Sequence, residues 1–89
     1  MSSLSRTVQI VNALGLHARA AARLAAVAGR ARGPVWLVRA AERIDATSII
    51  DILTLACPPG STLTIEIDHP EDRPILEQLV QLVADGFGE

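Results

Sequence analysis

The sequence predicts a two-layer α/β (α+β) open-faced sandwich: three helices on one face of a four-stranded, mainly antiparallel sheet. Three observations carry that prediction. Strand-like and helix-like periodicities alternate in the order β-α-β-β-α-β-α. The middle two strands follow one another as a hairpin, while helices isolate the first and the last. The longer helical segments carry one apolar stripe each, and such stripes must be buried against a shared surface. At 89 residues the chain has room for one domain, spanning 1–89, with one core and no separate catalytic lobe.

Residues 6–12, Arg-Thr-Val-Gln-Ile-Val-Asn, alternate as a strand with Val8 and Ile10 on one face. The pattern breaks between Asn12 and Gly15. Ala18 to Ala28 is rich in Ala, Leu and Arg, all good helix formers. Ala21, Leu24, Ala25 and Ala28 recur at helical spacing, so that side is buried while Arg19, Arg23 and Arg30 face water; Gly29 and Gly33 are natural stops. Pro34 to Arg39 is a strand, Ala40 to Arg43 contains a turn, and a short strand runs on to Ala46. Ser48-Ile49-Ile50-Asp51 has the capping-box spacing, which places a short helix from there to Ala56, ended by Pro58-Pro59-Gly60. From Ser61 to Asp68 the chain alternates cleanly, with Leu63, Ile65 and Ile67 inward and Thr62, Thr64 and Glu66 outward. The last helix is capped by Asp68 or His69, has Pro70 in its first turn and Glu71 and Asp72 at the positive end of its dipole. Ile75, Leu76, Leu79, Val80 and Val83 form its stripe, and Gly86 stops it.

Composition narrows the function classes. With 49% hydrophobic and 20% charged residues the chain is a compact folded protein rather than a disordered one. Its apolar stretches fall short of the roughly 20 residues that cross a bilayer, and no charged, apolar and small-residue succession marks an export leader. The lone Cys57 cannot form an internal disulfide. The expected compartment is the cytoplasm. Charge is segregated: residues 1–41 hold six arginines and no acid, and residues 42–89 hold two arginines and all ten carboxylates. A net charge of −2 with 2% aromatics speaks against general nucleic-acid binding, which needs summed cationic contacts and stacking platforms. Four arginines between Arg19 and Arg32 suit a single phosphate or an acidic protein surface, or else a solvated helix face.

The chemistry-bearing segment is Gly15-Leu16-His17-Ala18-Arg19, where a loop turns into a helix. A histidine at a helix start sits beside unpaired amides and the positive end of the dipole, which disfavours imidazolium and leaves a ring nitrogen free as a nucleophile. Those amides and the Arg19 guanidinium are placed to stabilise a phosphoryl group on that ring. Gly15 permits a close backbone approach. A histidine at such a place equally serves as a cap or a surface residue, and spacing alone does not choose.

Gly15-Leu16-His17-Ala18-Arg19-Ala20-Ala21 resembles the active-site signature Gly-Leu-His-Ala-Arg-Pro-Ala of the HPr family, the histidine-containing phosphocarriers of the bacterial phosphotransferase system. Ser48-Ile49-Ile50 falls where that family places its second helix and its regulatory serine. Leu55 to Leu63 is similar to its loop into the last strand, and the element order agrees over residues 6 to 85. The resemblance implies that enzyme I, charged from phosphoenolpyruvate, phosphorylates His17 at Nδ1 and that a IIA-type protein accepts the group. It implies that Arg19 pairs with the phosphoryl group, and that the backbone amides of Ala18 and Arg19 cap its oxygens. Ala18, Arg19, Arg23, Ile49, Ile50 and Leu53 would form the partner-binding patch, although Ile49 and Ile50 also suit a core. No cofactor or metal is implied, and a monomer that exposes one site to several partners is the expected state. Such a protein is a substrate of kinases rather than an enzyme with its own small-molecule turnover. The alternative is a regulatory module whose phosphorylated and free forms bind a target differently, with no onward transfer.

One residue departs from the signature: Ala20 stands where the family has proline. Alanine is also compatible with a first helical turn, so the chemistry is expected to survive with a slightly looser site. The departure favours a regulatory, nitrogen-type branch over sugar uptake, which the composition does not decide. Ser48 is both a helix cap and the match to the serine that an HPr kinase/phosphorylase modifies in some bacteria; Thr47 stands where many relatives have lysine. A phosphate there would suit the helix start and repel an acidic partner. His69 is expected to be a cap, Cys57 a bystander outside any metal cluster, and Trp36 belongs either to the core or to the open sheet face.

Overall fold

A computed structural model describes residues 4–89. Four strands, β1 (Ser5–Gln9), β2 (Val35–Arg39), β3 (Glu42–Asp45) and β4 (Thr62–Ile67), and three helices, α1 (Ala18–Ala28), α2 (Ile49–Leu55) and α3 (Arg73–Ala84), follow the predicted order. The sheet runs β1-β4-β2-β3 with every pairing antiparallel. β4 lies between β1 and β2. Val8 pairs with Leu63, and Leu37 with both Ile65 and Ile44, so one face is a continuous apolar layer. The helices cover that face and leave the other open: a two-layer α+β open-faced sandwich.

The buried stripe of helix α1, which packs beside α2 and α3, is small. Ala20, Ala21, Ala25 and Ala28 flank the one long side chain, Leu24. The core they seal holds Ile10, Leu37, Ile52, Leu76, Leu79 and Phe87, each at most 1% exposed. Burial of this kind contributes about 25 cal/mol per Å² of apolar surface. On the open face Trp36 lies between the buried Val35 and Leu37 and points the other way. The Arg43 guanidinium stacks 4.3 Å from the centre of its ring, and its indole N–H donates to Asp68 at 3.2 Å. That resolves the two placements open to Trp36 in favour of the uncovered face.

Three boundaries differ most from the sequence reading. The first strand, read over residues 6–12, is Ser5–Gln9. The β2–β3 turn is tighter: Ala40 adopts φ +54° and β3 begins at Glu42. The last helix begins later. Pro70–Asp72 is a separate 3₁₀ turn in which the His69 side chain makes no capping bond, and α3 starts at Arg73 with Pro74 in its first turn. The physical reason is Asp72. Its carboxylate is 2% exposed and, rather than resting at the helix dipole, accepts the amides of Arg32 at 2.8 Å and Gly33 at 2.9 Å. Those two amide bonds, the Arg32 one first, hold its carboxyl below the usual aspartate range. His69 lies against Gly33, where an added β-carbon would stand 1.9 Å from its ring.

Candidate functional site

The site begins where β1 ends. Ile10 is fully buried and fixes the strand exit, after which the chain folds back on itself. Gly15 takes φ +67°, and a β-carbon there would lie 2.7 Å from the Cys57 carbonyl oxygen. Its amide donates to Asn12 O at 3.2 Å, and Leu16 N donates to Cys57 O at 3.0 Å. The Asn12 side-chain amide donates to Gly15 O at 2.7 Å. Only glycine combines that backbone with that proximity. Cys57 takes part in the site through its backbone. Its carbonyl anchors the loop, and its thiol, pushed up by burial, stays protonated.

This loop delivers His17 as the N-cap of α1. The ring Nδ1 accepts the Arg19 amide at 3.2 Å, so one nitrogen is aimed at the helix start while the early amides of that turn lack intrahelical partners. The other nitrogen, Nε2, is bonded to a Glu89 side-chain oxygen, with the two side chains 25% and 20% exposed. Glu89 also accepts from the Asn12 amide at 3.1 Å. The bond from His17, then the one from Asn12, holds its carboxyl below the usual glutamate range against the opposing effect of burial. His17, Ala18, Arg19, Leu14 and Glu89 line an open cavity of about 550 Å³. That is far more than a phosphoryl group fills, so room remains for a donor's or acceptor's side chain.

Glu89 gets there through a turn built by the end of the chain. Gly86, Phe87 and Gly88 take φ values of +65°, +59° and +79° in succession. Phe87 is fully buried, which offsets the left-handed backbone that a non-glycine residue resists. The Arg23 guanidinium donates to the Phe87 carbonyl, and Glu89 N closes on Gly86 O at 3.1 Å.

The structure therefore brings His17, Ala18 and Arg19 together and separates the basic cluster. Arg23 is spent on the Phe87 turn, and Arg30 donates to Gln78 of α3. The exposed Arg19 side chain holds no ion pair among the described residues. Ile49, Ile50 and Leu53 are 41%, 76% and 40% exposed, surface rather than core. They sit on α2, which packs beside α1, and do not line the cavity. Leu14, 70% exposed, extends the apolar surface beside the histidine. The Ser48 hydroxyl accepts from Asp51 N at 3.3 Å, the first half of a capping box. The Ser48 amide donates instead to Asp45 O at 3.1 Å. Asn12, Leu14 and Glu89 were not singled out by the sequence reading. Asn12 ends a strand pattern and Glu89 lies beyond the last periodic residue, so no local signal marked either. Among the described residues no cluster of three His, Cys, Asp or Glu side chains is placed to hold a metal, and no helix is long and apolar enough to cross a membrane.

An open-faced sandwich that presents a histidine at the start of its first helix is the class this geometry defines. Residues 4–85 match the family model for the PTS HPr component phosphorylation site. The chain is 42% identical to the phosphocarrier protein HPr of Cupriavidus necator over 86 residues, covering 97% of each. It is 34% identical to the phosphocarrier protein NPr of Shewanella violacea, covering 100% of this chain and 98% of that one. A crystal structure of HPr-C-His from Thermoanaerobacter tengcongensis superposes with a TM-score of 0.90 at 28% identity over 96% of both chains. The chain belongs to the HPr family, and its role is that of a phosphocarrier in the phosphotransferase system, acting with the enzymes of that system.

Proposed function

We propose that His17 takes a phosphoryl group on Nδ1 from phosphoenolpyruvate-charged enzyme I and passes it to a IIA-type acceptor of a sugar or nitrogen system, in the cytoplasm. The observation that carries this reading is the direction of Nδ1, which faces the Arg19 amide across the start of α1. When that lone pair forms the nitrogen–phosphorus bond, the amide loses its acceptor and gains a phosphoryl oxygen in its place. The neighbouring Ala18 amide and the Arg19 guanidinium are the further donors within the same turn. A phosphoryl group held this way is stabilised but not enclosed, because the cavity opens to solvent, as a carrier between two proteins requires. Ala18, Arg19, Ile49, Ile50 and Leu53 are the contact patch we assign to both partners, joined by Leu14. Arg23 contributes to it through the turn it holds. The whole of 1–89 acts as one carrier domain. Ser48, at the head of α2, is the site we assign to regulatory phosphorylation.

The test is incubation with phosphoenolpyruvate and enzyme I, followed by intact mass and acid treatment. Phosphohistidine is lost in acid and survives base, and phosphoserine behaves the opposite way. Wild type is expected to gain one acid-labile phosphate and His17→Ala none. No gain from an enzyme I that charges a control carrier would sink the reading. Subsequent addition of IIA-type proteins from sugar and nitrogen systems identifies the acceptor by loss of that phosphate, and retention with every acceptor favours the regulatory-module alternative.

A further inference from the structure

Asn12 holds Gly15 by both of its backbone groups. The main-chain carbonyl of Asn12 accepts the Gly15 amide at 3.2 Å, and the Asn12 side-chain amide donates to the Gly15 carbonyl at 2.7 Å. That same carbonyl accepts the His17 amide at 3.0 Å, across Leu16. The shared oxygen therefore sets where the backbone of His17 enters α1. Asn12 is only 6% exposed, so the surrounding packing fixes its side chain. Its amino group meets two acceptors, Gly15 O and a Glu89 carboxylate oxygen at 3.1 Å. Its Oδ1 is buried with no hydrogen-bond partner among the described residues, and no other buried side-chain nitrogen or oxygen among them is left so. An orphaned acceptor opposes folding, because it has lost water and gained no donor. A leucine has the same branched shape without that penalty, so stability does not account for asparagine here. What asparagine supplies and leucine lacks is an uncharged nitrogen with two protons, where two acceptors converge.

We propose that Asn12 is a positioning residue for His17: its side-chain amide clamps the Gly15 carbonyl, and through that oxygen holds the imidazole with Nδ1 over the first-turn amides of α1. The proposal rests on His17 being the phosphoryl acceptor. Gly15 sits at φ +67°, and a glycine leaves that region as readily as it enters it. The loop is therefore held by its partners and not by its own backbone preference. On one side Leu16 N donates to Cys57 O at 3.0 Å; on the other the Asn12 amide supplies the opposing donor. Without that donor the Gly15 carbonyl turns more freely and carries the His17 amide with it. Nδ1 then loses its alignment on the Arg19 amide, 3.2 Å away, and on the incoming phosphorus. A misplacement of about 1 Å lowers a transfer step by up to about 100-fold. Ile49, Ile50 and Leu53, assigned to partner contact, lie on α2 outside the clamp. Alignment and recognition are thus carried by different residues.

Asn12→Leu removes the donor and the orphaned acceptor together. Charging from phosphoenolpyruvate and enzyme I at saturating carrier is expected to fall about tenfold to a hundredfold, with half-saturation and the thermal midpoint unchanged. The Arg19 amide resonance, which reports the Nδ1 contact in the uncharged protein, is expected to shift. A purely structural role would instead lower the midpoint and leave the rate and the Arg19 resonance of the folded protein as in wild type. Asn12→Asp keeps the shape and makes the donor titratable, since only the neutral acid can donate to Gly15 O. The charged and titratable groups facing position 12 are Glu89 and, beyond it, His17, Arg19 and Arg23. The charging rate of Asn12→Asp relative to wild type is expected to rise as pH falls through the range of its carboxyl. A wild-type rate and Arg19 resonance in Asn12→Leu, or a pH-independent ratio in Asn12→Asp, would overturn the proposal. Failure of wild type to take any phosphate overturns the carrier reading instead, and the Arg19 resonance in Asn12→Leu then still decides whether Asn12 holds the ring.

Discussion

The start of α1 and the loop that follows its 11 residues each aim backbone amides at a side chain, and the two sets of amides meet opposite fates. In the loop beyond the far end of the helix the Arg32 and Gly33 amides are both taken by the buried Asp72 carboxylate. That set is saturated, dry and closed. At the near end the Arg19 amide rests on His17 Nδ1 beside an open cavity, and the turn it belongs to has further amides without intrahelical partners. Both arrangements offer the same donors to an anion. What separates a structural latch from a carrier site is whether the anion is supplied by the chain or left to arrive.

The comparison can be broken most severely at Gly15. Gly15→Ala forces an alanine into φ +67° against the Cys57 carbonyl and is expected to cost about 3 kcal/mol in urea-unfolding stability. Phosphoryl acceptance should fall with it, because the same loop delivers His17. The next test separates the two ends. Asp72→Asn removes the charge from the far latch and should lower the midpoint of thermal unfolding by several degrees, while enzyme I still charges the folded variant at the wild-type rate. A fall in charging as large as the fall in stability would show that the two ends are coupled. The acid limb sharpens this. Asp72 binds its proton less readily in the folded protein than in the unfolded chain. Its stabilising effect is therefore complete above the ordinary aspartate range and is lost as pH falls through the lower folded value. Wild type should lose stability on that limb, and Asp72→Asn should show a flatter one. The smallest expected effect is Ala20→Pro. The Ala20 amide is one of the early amides with no intrahelical partner, so the ring removes nothing and stabilises by about 0.5 kcal/mol through the unfolded chain. Charging should be unchanged; a drop in charging would show that this amide serves the phosphoryl group.

The same two ends mark what the sequence made legible. The bounds of α1, Ala18 to Ala28, and its buried stripe are local properties of alanine and leucine spacing, and the structure returns them with Ala20 added to the stripe. The inward set of β4 is equally local. His17 was legible because the residues around it form a contiguous motif. Asp72 stands at the helix start as read, but its partners were not legible: acids there ordinarily serve the dipole, whereas its carboxylate binds amides about 40 residues upstream. Glu89 was invisible for the same reason: it meets a histidine 72 positions away, along a path that depends on where Phe87 is buried. The basic run around α1 looked like a single surface. In the folded chain Arg23 and Arg30 are occupied by the tail and by α3, so fewer charges remain for a partner than counting suggests.

Trp36, the one tryptophan of the chain, stands on the uncovered side of the sheet, held between Arg43 and Asp68. Its fluorescence is therefore an optical channel for the integrity of the sheet, while the phosphoryl traffic proposed for His17 runs through the helical layer and leaves that channel quiet. Unfolding curves can be recorded without a label on the free and the charged protein alike. The difference between them is the energetic mark that a phosphoryl group leaves on its carrier.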